Sequence, residues 1–146
     1  MAYTERFFEK HAVLGVLYPA SYASEQNLGW YAVQNYHRIA ILVIGGNIGT
    51  SLDVDVEIAT DADGSDVHTL KSITQLTQAG SDDDSYVGIE IQSEELSKPA
   101  GTSVTNFTHL RVEVTPSGAT LACVVVLGVN PRFAPVSTTG FDEIVD

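Results

Sequence analysis

Between Ser51 and Ala59 the chain reads SLDVDVEIA, with Leu52, Val54, Val56 and Ile58 apolar and Asp53, Asp55 and Glu57 acidic. Side chains of an extended strand point alternately to opposite faces, so a strict period of two means one face in a core and one in water. A helix would scatter the same residues around its circumference and bury carboxylates. The chain must therefore build a sheet and supply an apolar layer to cover it.

Other segments offer that layer. Tyr36 to Ile44 is a β-branched, mostly apolar run that reads as a central strand, closed by Gly45-Gly46-Asn47. Tyr86 to Gln92 and His109 to Thr115 alternate like the first segment, and Thr120 to Leu127 reads as a further strand. Thr115-Pro116-Ser117-Gly118-Ala119 has the chemistry of a tight turn, which predicts a hairpin between the last two strands. Val13 to Tyr18 is expected to be a first strand, and Pro19 to Gly29 a turn-rich stretch. Val67 to Leu76 is mixed, a strand alone or a strand with a short helical turn. Gln78 to Ser85 and Ser93 to Phe107 read as polar connections. About seven or eight short strands with turns between them predict an all-β chain, an antiparallel β-sandwich or barrel. A chain of 146 residues fits one domain, with a body over about 12–128 and extended N- and C-terminal arms at 1–11 and 129–146.

Hydrophobic residues make up 44% of the sequence, enough for a real core. The longest apolar run, Leu121 to Gly128, is strand-length and far short of the roughly 18 to 20 residues that cross a bilayer as a helix. Nineteen acidic residues against seven Lys and Arg give a formal charge of −12. Such a surface repels phosphate backbones, which argues against nucleic acid as a partner. The charge serves either solubility or complementarity to a basic partner surface. The one cysteine, Cys123, excludes an intrachain disulfide framework, and its setting in LACVVVLG predicts a buried, inert thiol. A chain without disulfides suits a reducing cytoplasm. Arg6 and Lys10 precede the apolar stretch Ala12–Leu17, but Glu5 and Glu9 cancel them and Pro19 closes the stretch, so no secretion signal is expected.

Candidates for chemistry are few. Asp61, Asp63 and Asp66 in DADGSD could offer oxygen ligands to calcium, yet the glycine stands fourth and Ser72 occupies the twelfth position, so the loop is not an EF-hand. Turn chemistry accounts for the same residues. Asp82-Asp83-Asp84 reads as a solvated loop. His11, His37, His68 and His109 show no metal-ligand spacing, and GGNIGT lacks the lysine of a P-loop. Asn106-Phe107-Thr108 matches a glycosylation sequon by pattern only. Trp30, Tyr31 and Tyr36 could form a platform for sugar rings or could pack in the core. No catalytic residue, cofactor site or metal site is expected, and the chain reads as a non-enzyme.

The order of segments resembles a known group. Trp30 precedes Tyr36-His37-Arg38-Ile39 and Gly45-Gly46, then VDVEIATDADG, Lys71-Ser72-Ile73-Thr74-Gln75-Leu76-Thr77 and IEIQSEEL. HLRVEVTPSGATLACVVVLG and Pro131-Arg132-Phe133-Ala134-Pro135 close it. This pattern, over roughly Trp30 to Pro135, resembles small structural proteins of tailed bacteriophages and prophages, some of them similar to jelly-roll capsid decoration, or cement, proteins. The resemblance implies a jelly-roll body that binds the major capsid protein on the outer phage head and bridges capsid subunits. It also implies self-association as a dimer or trimer, and assembly in a bacterial host cytoplasm. Interface anchors are expected at Phe7 and Phe8 in the N-terminal arm and at Arg132 and Phe133 in the C-terminal arm, because aromatic and arginine side chains dominate contact energetics. The alternatives are a low-copy head–tail or tail component and a carbohydrate-binding β-sandwich module.

Overall fold

The alternating segments form strands in the computed structural model, which describes residues 7–133 and Phe141. In chain order these are α1 (Phe7–Lys10), β1 (His11–Tyr22), β2 (Gln26–Ala32), β3 (Tyr36–Gly45), β4 (Ser51–Ala59), β5 (His68–Ser72), β6 (Leu76–Thr77), β7 (Tyr86–Gln92), α2 (Ser93–Ser97), β8 (His109–Ser117) and β9 (Thr120–Pro131). The strands build two antiparallel sheets. One has the order β1-β9-β3-β7; the other has the order β2-β8-β4-β5, with β6 paired to β4.

Most consecutive strands lie in opposite sheets, so the chain winds around the core as a jelly roll. The period-two pattern decides which side chains enter that core. Leu52, Val54, Val56 and Ile58 of β4 are fully buried beside Leu110, Val112 and Val114 of β8. The opposing layer is Ile39, Ile41 and Val43 of β3 with Val124 and Val126 of β9. Each such side chain contributes about 1.5–3 kcal/mol by leaving water.

Several expectations change. Thr115–Ala119 is not a hairpin turn: β8 pairs with β4 and β2, while β9 pairs with β1 and β3. The turn is a corner between sheets. Gly118 takes φ +79° there, and a Cβ on Gly49 would lie 2.6 Å from the Gly118 carbonyl carbon, so the two corners require close backbone approach. Thr120, fully buried, accepts the Gly49 N–H at 3.0 Å and ties them together.

The stretch Pro19–Gly29 is not a turn region. β1 continues to Tyr22 past irregular pairing between Leu17 and Ala20, where Pro19 costs no ladder bond on an edge strand. β2 begins at Gln26 and contains Trp30. The Ser93–Phe107 connection includes α2, whose Leu96 is buried and whose Glu95 carboxylate accepts the Gln92 N–H at 2.8 Å. β9 extends through Pro131, opposite Tyr36, so Val129 to Pro131 belong to the sheet. Most of both arms, residues 1–6, 134–140 and 142–146, lies outside the described residues.

Candidate functional site

His11 pairs with Val129, so the start of β1 and the end of β9 lie side by side. That register carries the expected anchors to one end of the sandwich. Phe7 is 55% exposed, stacked on His11 with ring centroids 4.1 Å apart. Phe8 is half-buried, meeting Phe7 edge-on at 5.1 Å and Phe141 at 4.7 Å. Arg132 is exposed, its N–H donating to the Asn35 carbonyl at 2.7 Å, and Phe133 is 77% exposed. The structure thus gathers residues more than a hundred positions apart into one exposed aromatic and cationic end. Beside it, a cleft of about 210 Å³ is lined by Tyr36, Leu96, Asn106, Phe107 and Arg132 among others.

The three aromatic rings do not form one platform. The Arg111 guanidinium lies over the Trp30 ring at 4.7 Å, and Gly64 approaches so closely that a Cβ there would fall 2.6 Å from Trp30 Nε1. Tyr31 packs over Gly15 and Tyr36 over Gly128. Burial raises the phenol pKa of both tyrosines.

The DADGSD loop satisfies itself. Asp61 Oδ1 accepts the N–H groups of Asp63 and Ser65, each at 3.0 Å. Hydrogen bonds from Ser65 hold the Asp61 carboxyl below the usual carboxylate range. Among the described residues no cluster of three or more His, Cys, Asp or Glu side chains could hold a metal ion. Asp82 and Asp83 are not merely solvated. Asp82 Oδ2 accepts the Thr77 N–H at 2.8 Å, and Asp83 Oδ1 accepts the N–H of fully buried Ile48 at 2.7 Å. Three of the histidines find separate partners, His11 at the Phe7 carbonyl, His68 at the Ala100 carbonyl and His109 at the Thr108 hydroxyl.

The outer faces of the two sheets differ in chemistry. On the β4–β8 pair, Asp53, Asp55 and Glu57 stand opposite Thr115, Glu113 and Arg111. Arg111 forms a salt bridge with Glu57 and lies 3.8 Å from Glu113. Burial, then the carboxylates of Glu57 and Glu25, push the Glu113 carboxyl up. On the other sheet, Leu121, Cys123, Val125 and Leu127 of β9 alternate with buried neighbours and therefore face outward. Cys123 is accordingly a half-buried surface thiol, not a core one. The signal was present in LACVVVLG and IAILVI, which are apolar at both parities and so lack a solvent side. Among the described residues no helix is long and apolar enough to cross a membrane.

No family model matches the chain, and no curated protein matches it. Among solved structures it is similar to the SPBc2 prophage-derived protein YomS, with a TM-score of 0.47 and 11% identity over 81% of this chain and 93% of that one. It is also similar to a structure of infectious bursal disease virus Gt strain, with a TM-score of 0.46 and 12% identity over 89% of this chain and 37% of that one. A family 11 carbohydrate-binding module from Clostridium thermocellum, in complex with a beta-1,3-1,4-mixed-linked tetrasaccharide, gives a TM-score of 0.37 and 13% identity over 76% of this chain and 74% of that one.

Proposed function

We propose that this chain is a non-enzymatic virion structural protein, a decoration protein that binds the outer surface of a phage head and bridges its capsid subunits. The observation that carries this reading is the convergence of Phe7, Arg132 and Phe133 at one exposed end of a rigid sandwich. Large aromatic and arginine side chains are the residues that anchor protein contacts. On this reading the segments preceding Phe7 and following Phe133 would reach neighbouring subunits while the jelly roll stays intact. Many copies, each adding a modest contact, would together oppose the pressure of packaged DNA. The acidic surface suits this role, since a protein of charge −12 does not compete for that DNA.

The test is copy number relative to the major capsid protein in purified particles. A ratio near one, or a simple fraction of it, supports decoration. A few copies per particle moves the protein to the neck or tail, and absence from particles overturns the virion reading. The carbohydrate-binding alternative requires Trp30, Tyr31 or Tyr36 to be open in a groove, whereas Arg111 overlies Trp30 and both tyrosines are half-buried. Glycan binding abolished by Trp30→Ala would revive it.

A further inference from the structure

We propose that the outer face of the β1-β9-β3-β7 sheet is a homodimer interface, covered by the same face of a second copy of this chain. This inference stands apart from the virion reading and rests on a different surface.

β9 turns Leu121, Cys123, Val125 and Leu127 outward. The register of β3 on β9 sets Ile44 opposite Cys123, Leu42 opposite Val125 and Ala40 opposite Leu127. On the other flank β1 sets Val16 opposite Val125 and Val13 opposite Leu127. Leu42 is 39% exposed, Ile44 42% and Leu121 47%. At β7, Gly88 lies opposite Leu42 and leaves a shallow depression of about 360 Å³ floored by Leu42 and Leu127. Such a face is continuous across three strands, and monomers rarely leave one in water.

Size fits a second copy. Four strands at about 4.8 Å spacing and the run from Leu121 to Val129 at about 3.3 Å per residue give a footprint of about 500 Å². Two copies would cover about 1,000 Å², the lower bound for a specific interface. Shape fits as well, because a second copy presents a face of the same width, length and twist, and sheets stack face to face in aligned packing.

Charge selects the same arrangement. A chain of −12 repels its own copies wherever carboxylates meet. Among the described residues this face carries charge only near one end, where Arg38 and Glu90 already pair at 3.1 Å. Stacking it on its copy leaves the acidic β4–β8 faces outermost. With sheets about 10 Å apart, those acidic sheets stand about 30 Å from each other, several Debye lengths at physiological salt. Stacking the β4–β8 faces instead would set Asp53, Asp55, Glu57 and Glu113 of one copy against those of the other.

Sedimentation equilibrium of the full chain tests this. The expected species at about 20 µM and above is twice the 15.6 kDa chain mass. Leu42→Lys buries an unpaired ammonium in each half of the interface, so it is expected to raise the dimer dissociation constant at least about 100-fold. Its far-UV circular dichroism should be unchanged, because position 42 faces outward. Thr69→Lys, on the opposite sheet, leaves the dimer intact. Maleimide labelling of Cys123 is slow in the wild type and fast in Leu42→Lys. A wild-type monomer at about 100 µM overturns the proposal, as does a dimer whose affinity and Cys123 labelling ignore Leu42→Lys. A monomer that dimerises only after removal of residues 134–146 also overturns it, by showing that the chain's own tail covers the face.

Discussion

Leu42 of β3 and Val125 of β9 stand directly opposite each other on the outer face of one sheet. The comparable central pair on the other sheet is Asp55 and Glu113. Two sheets with the same inward chemistry thus differ wholly outward. One outer face is acidic and the other apolar.

The exposed end should behave as a contact surface and not as part of the core. Phe7→Ala and Phe133→Ala, at 55% and 77% exposed positions, are expected to change folding stability by less than about 0.5 kcal/mol. Combined, they should weaken binding to purified phage heads by about 2 kcal/mol or more, roughly thirtyfold. A co-sedimentation assay on heads checks this; unchanged binding would remove the end as an anchor.

Asp83 should be worth far more than its neighbour. Its carboxylate, on an exposed residue, accepts the N–H of fully buried Ile48 at 2.7 Å, and its removal takes away that partner. Asp83→Ala is expected to cost about 1–3 kcal/mol in urea denaturation. Asp84 has φ +56°, a conformation asparagine tolerates, so Asp84→Asn should stay within about 0.5 kcal/mol.

Gly64 combines φ +79° with a close approach to Trp30. Gly64→Ala meets both backbone strain and overlap with the indole, with an expected cost of about 1–3 kcal/mol. Trp30 is the one tryptophan, so its emission reports the site directly. A red shift should accompany the lost stability; an unshifted spectrum with full stability would contradict the packing described.

Glu113 sets a pH dependence with a definite sign. Its folded carboxyl titrates above the unfolded value, so the folded state holds that proton more tightly. Ionised Glu113 therefore weakens the fold above its folded pKa, and the penalty fades as pH falls towards the unfolded value of about 4.3. Glu113→Gln should stabilise the protein at pH 7 by less than about 1 kcal/mol, with the gain vanishing below about pH 4. Thermal melts at both pH values check it.

Strand identity was legible wherever apolar and polar residues alternate, as in β4, β7 and β8, because a period of two has no other solution. β2 was hidden: QNLGWYA offers one buried residue, Leu28, and its hydrogen bonds come from β8, far along the chain. The expected anchors Phe7, Phe8, Arg132 and Phe133 could be picked by residue type, but nothing local shows that they lie at the same end of the sandwich. That depends on His11 finding Val129.

The sequence alone determined that this is a sheet protein with an acidic solvent side and no obvious catalytic set. Alternation and composition are local quantities, readable without knowing any contact. Tertiary structure decided which strands pair. The turn at Ser117 to Ala119 serves a hairpin or an inter-sheet corner equally well, and only the burial of β8 against β3 and β9 across the core selects the corner. It also decided that Cys123 and Leu42 face outward. An apolar run matches either parity, and the register of β9 between β1 and β3 chooses one.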